Sequence, residues 1–216
     1  RAEARERFDS EAARELVARG LADRFPTDEY TASRALEPVE RHDAAFPSDD
    51  RIVVEGYGRE IVVNAAFGHT INETLGRLLS ALIGQRTGSS VAMEADPYRV
   101  ELEVPNGVTP GTVIEVLEET DPKHVEALLE LALKHSDTLK FTLAHVAAKF
   151  GALKRYQGNK RFGGDRLMAA LADTPVFDEA VREVFHTELA VEETAELLGD
   201  ICDGAVEVVA ARERTP

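Results

Sequence analysis

Eight cations, Lys134, Lys140, Lys149, Lys154, Arg155, Lys160, Arg161 and Arg166, lie between positions 134 and 166, against only Asp137 and Asp165. Phe141, Phe150, Tyr156 and Phe162 are interleaved with them. Cations that contact phosphates, set among rings on which bases stack, are the side-chain chemistry of a single-stranded nucleic-acid contact. Helical phase assigns Phe150 to the core, whereas Tyr156 and Phe162 fall in a loop that can expose them. The bland alternative is that the lysines solvate a helix or pair with acidic surface elsewhere.

Other chemistries find little support. The chain has no GxxxxGK[ST] phosphate loop, no GxGxxG after a strand, no HExxH and no GxSxG. An ATPase motor is therefore not expected in it. Six histidines, at 42, 69, 124, 135, 145 and 186, show no i, i+4 ligand pair, and no metal or other cofactor is expected. Glu192, Glu193 and Glu196 read as a solvated helix face. The single cysteine, Cys202, excludes an internal disulfide and a Cys-based zinc site, and is expected to be a small buried hydrophobe.

The elements that must position the cationic island come from a chain of 216 residues that is 44% hydrophobic, enough for one substantial core with a helical appendage. The N-terminus has no signal-like hydrophobic region, and no run approaches the roughly 18 apolar residues of a membrane span. A soluble, cytoplasmic protein is expected. Because the chain opens on Arg rather than Met, it reads as a piece of something longer. The net charge is −15, yet it is unevenly spread: −5 over 1–50, −7 over 51–133, +6 over 134–166 and −9 over 167–216. Arg outnumbers Lys 19 to 6. An acidic surface with little lysine fits a protein kept soluble by charge in high salt, which makes a halophilic source an expectation.

Along the chain, Ser10 to Leu21 and Thr27 to about Ala45 read as two helices of a lead-in spanning 1–46. The domain proper is expected at 47–216. Arg51 to Gly56 and Arg59 to Ala65 are β-branched strands around Gly-Tyr-Gly, a hairpin. The stretch AAFGHTINETLG then changes period: Thr70 with Glu73 reads as a capping box. Ile71, Leu75, Leu78, Leu79, Leu82 and Ile83 form an apolar stripe suited to packing on a sheet. Gly76, Ser80 and Gly84 line another side, where a neighbouring helix or a bound nucleic-acid strand would come close. Ser89 to Ala95 and Arg99 to Val104 form a second hairpin, turned by Asp96 and Pro97.

Beyond it, Val113 to Glu119 is open between strand and helix. Helices follow from Asp121-Pro122 and from Ser136, the latter with buried Leu139, Leu143, Val146, Ala147 and Phe150 and an outward flank of Thr142, His145 and Lys149. ALKRYQGNKRFGGDR is a basic loop. Further helices run from about Asp165 to Leu171, from Thr174-Pro175, and from Val191 to Cys202, before a strand at Ala205 to Ala210. The fold class is α+β: an antiparallel sheet of hairpins packed against several helices, with helical N- and C-terminal parts.

The order NAAFGHTINETLGRLLSALIGQRTGSSVAMEADPYRVELEVP, FTLAHVAAKFGAL, DTPVFDEAVREVF and a closing Gly-Ala-Val-Glu-Val strand resembles the DEAD/H-associated region that follows the winged helix in large helicase-related (Lhr) proteins. It is also similar to a region of ligase-associated DEXH-box helicases. The likeness runs from about Pro47 to Val209. Where the family reads close to Cys-Phe-Gly-Thr, this chain has Ala66, Phe67, Gly68 and His69.

The resemblance implies an accessory part of an ATP-dependent superfamily 2 helicase that translocates 3′ to 5′ on single-stranded DNA or RNA. The RecA-like motors, with their ATP and Mg, and the winged helix would lie upstream in the same polypeptide. This chain would wall the strand channel and hydrolyse no ATP alone. Contacts to the strand are expected from Arg77, Lys140, His145, Lys149, Lys154, Arg155, Lys160 and Arg161. The alternative is a scaffold that docks a DNA-repair or RNA-processing partner on the small-residue helix face. For the halophilic expectation the check is direct: the thermal midpoint should fall when molar salt is removed, and an unchanged midpoint rules it out.

Overall fold

Runs of β-branched residues produce the central strands of the sheet, and a computed structural model describes it together with the helices over residues 11–41, 46–134, 136–152 and 164–211. The described residues divide into two compact units, one reaching to Phe46 and taking in Ala211, the other Pro47–Ala210. In the first, α1 (Glu11–Arg24) and α2 (Glu29–Arg41) pack through Ala18, Ala32 and Leu36. Helix α1 runs through Gly20 and stops just short of the Phe25-Pro26 pair, where proline disfavours helical backbone in the preceding residue. At the start of α2, Asp28 accepts the Thr31 N–H at 2.6 Å, a bond that holds its carboxyl below the ordinary value.

In the second unit β1 (Arg51–Tyr57) and β2 (Glu60–Asn64) form an antiparallel hairpin, turned through Gly58 at φ 65°. The second hairpin, β3 (Ala92–Ala95) and β4 (Arg99–Glu103), joins it by pairing β4 with β2. Asp96 shapes its turn by accepting the N–H groups of Tyr98 and Arg99 at 2.7 and 3.0 Å. The strand order is β3-β4-β2-β1-β5. Strand β5 (Glu207–Ala210) runs parallel to β1, with Arg51 opposite Glu207 and their side chains bonded at 2.7 Å. A parallel neighbour needs a long crossover, and the helical C-terminal part supplies it. The α+β class, with hairpins packed on helices, is as the sequence implies.

One face of the sheet, built from Ile52, Val54, Ile61, Val63, Val100 and Leu102, is buried against α3 (His69–Thr87), whose Leu75, Leu78, Leu79 and Ile83 are the expected stripe. The expected capping box is absent. Gly68 is the N-cap at φ 94°, and its N–H bonds the Pro97 carbonyl at 3.1 Å. The hairpin turn thus sets where the helix begins, which makes Thr70 its second residue and leaves Glu73 to pair with Arg77. Asn72, wholly buried, donates both amide protons, to the carbonyls of Ala65 at 2.7 Å and Asp96 at 2.8 Å. One side chain therefore ties α3 to the end of β2 and to the β3–β4 turn.

The stretch left open between strand and helix is α4 (Pro110–Glu119), started by a reciprocal Thr109–Thr112 cap. A short 3-10 turn (Pro122–His124) leads into α5 (Val125–Leu133). Ser136 caps α6 (Asp137–Lys149) by accepting the Leu139 N–H. Helices α7 (Gly164–Leu171) and α8 (Pro175–Glu188) pack with α6 around Leu139, Leu143, Val146, Leu167, Phe177 and Val184, a second cluster. Phe185 and Val191 touch both clusters and join them.

Helix α9 (Val191–Cys202) returns to the sheet, its first turn held to α3 by the Ala190 N–H on the buried Thr74 hydroxyl at 2.9 Å. Cys202, expected to be buried, is exposed on its last turn, with its thiol 3.5 Å from the Glu118 carbonyl. No helix among the described residues is long and apolar enough to cross a membrane. Replacing Asn72 by Ala should cost about 1–3 kcal/mol, because it strands the buried Ala65 carbonyl and removes the donor of the part-buried Asp96 carbonyl. Urea unfolding with an unchanged slope measures the loss.

Candidate nucleic-acid interface

Helix α6 carries the part of the cationic island that can be followed side chain by side chain. Leu139, Leu143 and Val146 belong to the second cluster and Ala147 is buried beside them, so the side opposite them must meet solvent. Phe141, His145 and Lys149, at i, i+4 and i+8, make an exposed ridge there. The His145 Nδ1–H donates to the Phe141 carbonyl at 2.9 Å, since a carbonyl can only accept. That bond fixes the tautomer and lays the imidazole against the Phe141 ring, centroids 4.3 Å apart and planes at 49°. Phe141 remains 69% exposed.

Phe150, expected in the core, is 61% exposed. Its helical phase is right, but it is the C-cap of α6, a turn beyond the last residue that reaches the second cluster. Gly151 follows with φ 72°, the left-handed end expected there.

The lysines are not free cations. Lys134 pairs with Glu130 at 3.3 Å, and Lys149 lies 3.3 and 3.4 Å from the two carboxylate oxygens of Glu183. Lys140 sits between Asp165 at 2.9 Å and Asp137 at 3.3 Å. Its hydrogen bond to Asp165, then that to Asp137, raises its pKa above the usual lysine value. Three lysines thus meet four carboxylates, two of them from α5 and α8. The described part of the island is locally neutral, which is the acidic-surface pairing that the sequence left as the alternative. Exposed pairs of this kind are weak, screened by water and salt, so phosphate can compete with them.

Lys154, Arg155, Lys160 and Arg161, with Tyr156 and Phe162, lie outside the described residues.

Arg77 stands elsewhere, on α3. Its guanidinium bonds Glu73 at 2.8 Å, both side chains are about three-quarters buried, and its Nε has no partner among the described residues. It lines a groove of about 780 Å³ with Ser80, Ser90, Met93, Leu128 and Leu131, which extends to Ser136 at the start of α6. Arg77 and α6 therefore border one concavity, while His145 and Lys149 form the outward ridge. Among the described residues no group of three or more His, Cys, Asp or Glu converges to hold a metal ion.

The small-residue stripe is occupied from within. A Cβ on Gly76 would lie 2.3 Å from Met93 Cε and 2.9 Å from Val100 Cγ1. Ser80 donates to the Val91 carbonyl at 2.6 Å, and a Cβ on Gly84 would come 3.1 Å from the Ser89 carbonyl oxygen. The close neighbour is the second hairpin and the segment leading into it, not another helix or a nucleic-acid strand. Phe141 was legible only as one ring among four. The signal that marks it is its i, i+4 spacing to His145, which lies on the outward flank.

The sequence model of the family described as DEAD/H associated matches residues 46–216. The ATP-dependent helicase Lhr-Core of Methanothermobacter thermautotrophicus is 27% identical over 189 residues, covering 80% of this chain and 22% of that protein. The solved structure of Mycobacterium smegmatis helicase Lhr bound to ssDNA and AMP-PNP superposes with a TM-score of 0.65 at 20% identity, covering 83% of this chain and 25% of that one. The chain thus spans about a quarter or less of the length of these relatives. Gly76→Ala should destabilise the fold by about 1–3 kcal/mol through overpacking against Val100, whereas Gly20→Ala, with open space around it, should stabilise a helix interior by up to about 1 kcal/mol. Thermal unfolding of the two variants distinguishes them.

Proposed function

Because the chain belongs to the DEAD/H-associated family, we propose that it is an accessory domain of an ATP-dependent Lhr-type helicase that helps to wall the path of a single nucleic-acid strand. The family match over 46–216 carries this reading. The relative at 27% identity is an ATP-dependent helicase, and the structural neighbour holds ssDNA with a nucleotide analogue, so each supports it. On this reading, ATP and Mg belong to RecA-like motors elsewhere in the polypeptide, and the translocation is 3′ to 5′. The chain has no phosphate-loop sequence with which to hold a nucleotide.

The division of labour among the candidate residues follows from their surroundings. Lys134, Lys140 and Lys149 already hold carboxylates, so their charge reaches a phosphate only by exchange of partners. Lys154, Arg155, Lys160 and Arg161 fall in a stretch with no carboxylate between Asp137 and Asp165, and they supply the electrostatic part of strand binding. Arg77 lies inside a groove and contributes there, through its alignment by Glu73. The scaffold alternative is less favoured at Gly76, which Met93 and Val100 of the second hairpin cover, while Ser80 and Gly84 border the groove beside Arg77.

The test uses the protein expressed from its full reading frame. Lys154→Gln with Arg155→Gln should weaken binding of an unstructured single strand and lower the slope of log K against log salt by about 1.4, near 0.7 for each phosphate no longer neutralised. Fluorescence anisotropy across a salt series measures both. An unchanged slope removes these residues from the strand path.

A further inference from the structure

Three places on the described surface are not explained by packing: the groove beside Arg77, the shallow outer face of the second hairpin, and the ridge of α6. The ridge goes furthest. We infer that Phe141, backed by His145, is a base-stacking ledge for a single nucleic-acid strand, and that α6 holds the strand through its bases rather than its phosphates. This deepens the strand-channel reading and rests on it.

A phenylalanine left 69% exposed forgoes most of the gain that burial would bring. Single exposed apolar side chains are common, but this one is set in place. The His145 Nδ1–H is anchored to the Phe141 carbonyl, and the imidazole packs on the phenyl ring at 4.3 Å. The imidazole therefore restrains the ring from one side, while most of its surface stays open to a flat partner. Aromatic faces accept any base, which suits a helicase path that must pass every sequence.

Charge points the same way. Around α6 the three lysines are matched by Glu130, Asp137, Asp165 and Glu183, so little net positive charge is left on the helix for phosphates. What the ridge offers a strand is a ring. In sequence the ridge leads directly to Lys154, Arg155, Lys160 and Arg161, the densest cationic stretch of an acidic chain.

The experiment uses the protein from its full reading frame and a short oligonucleotide carrying 5-iodouracil at successive positions. Photo-crosslinking followed by mass spectrometry should place an adduct on Phe141 or His145. Phe141→Ala should weaken binding roughly fivefold or more, the lower end of what removing the ring beneath one stacked base costs, with no change in the salt slope. Phe141→Leu should behave like the alanine variant, and Phe141→Trp should bind as well as the parent. With an abasic site at the crosslinked position, the penalty of Phe141→Ala should vanish.

A penalty that persists on the abasic strand, or one accompanied by a lowered unfolding midpoint, overturns the ledge in favour of a contact with another part of the polypeptide. Binding unchanged in Phe141→Ala while Lys154→Gln with Arg155→Gln weakens it overturns the ledge and leaves the channel reading intact. Binding unchanged in both sets of variants overturns the two together.

Discussion

Asn72 ties three parts of the chain at one point: α3, the end of β2 and the β3–β4 turn. Its amide group is wholly buried, and its two protons go to the carbonyl that ends β2 and to the carbonyl that opens the β3–β4 turn. Both carbonyls belong to strand ends, where the ladder has stopped and backbone acceptors would otherwise be buried without donors. With α3 fixed at this point, Gly68 takes its positive φ against Pro97, and the apolar stripe of the helix falls across the sheet. The same helix then receives α9 through Thr74 and the Ala190 N–H, which directs the chain back to set β5 alongside β1. Polar bonds from different sides of α3 thus fix the end of β2, the β3–β4 turn and the start of α9 to one helix, within a core whose stability comes from apolar burial.

That arrangement also decides what the small side chains of α3 are for. Gly76 has no room for a Cβ because Met93 and Val100 press against it, and Ser80 is spent on a backbone carbonyl of the same hairpin. A line of small residues signals close approach without naming the partner. Here the partner is the chain itself. The groove beside the stripe is a consequence: α5 and the segment before β3 part on either side of Arg77, whose guanidinium Glu73 draws to one edge.

The cationic island shows how charge counted along a chain differs from charge counted in space. Between 134 and 166 the excess is +6, but Glu130 pairs with Lys134 at the end of α5, and Asp165 and Glu183, from α7 and α8, reach Lys140 and Lys149 of α6. Packing of α8 on α6 is driven by Leu139, Leu143, Phe177 and Val184, and the ion pairs at its margin follow from that contact. With the charges matched, the remaining distinction of the helix is the Phe141–His145 pair. A hydrogen bond to the backbone four residues earlier orients the imidazole, and the phenyl ring is what it meets.

Much of the fold was legible in residue order alone. Both hairpins, the stripe on α3, the Ser136 and Thr174 caps and the last helix, Val191 to Cys202, depend on local periodicity and on side chains that bond their own backbone. The resemblance to the DEAD/H-associated region likewise rests on residues in order, and the match over 46–216 agrees with it. Tertiary structure decided the rest, because the deciding partner was distant. Gly68 displaced Thr70 as the cap of α3 because a turn nearly thirty residues later supplied the acceptor for its N–H. Phe150 kept its phase but outran its core, and Cys202 reached the surface on the last turn of α9. The parallel pairing of β5 with β1, the Lys149–Glu183 pair and the close approach of Met93 and Val100 to Gly76 arise between residues well separated in sequence. Periodicity reports which side of an element is apolar, and only packing reports what lies against it.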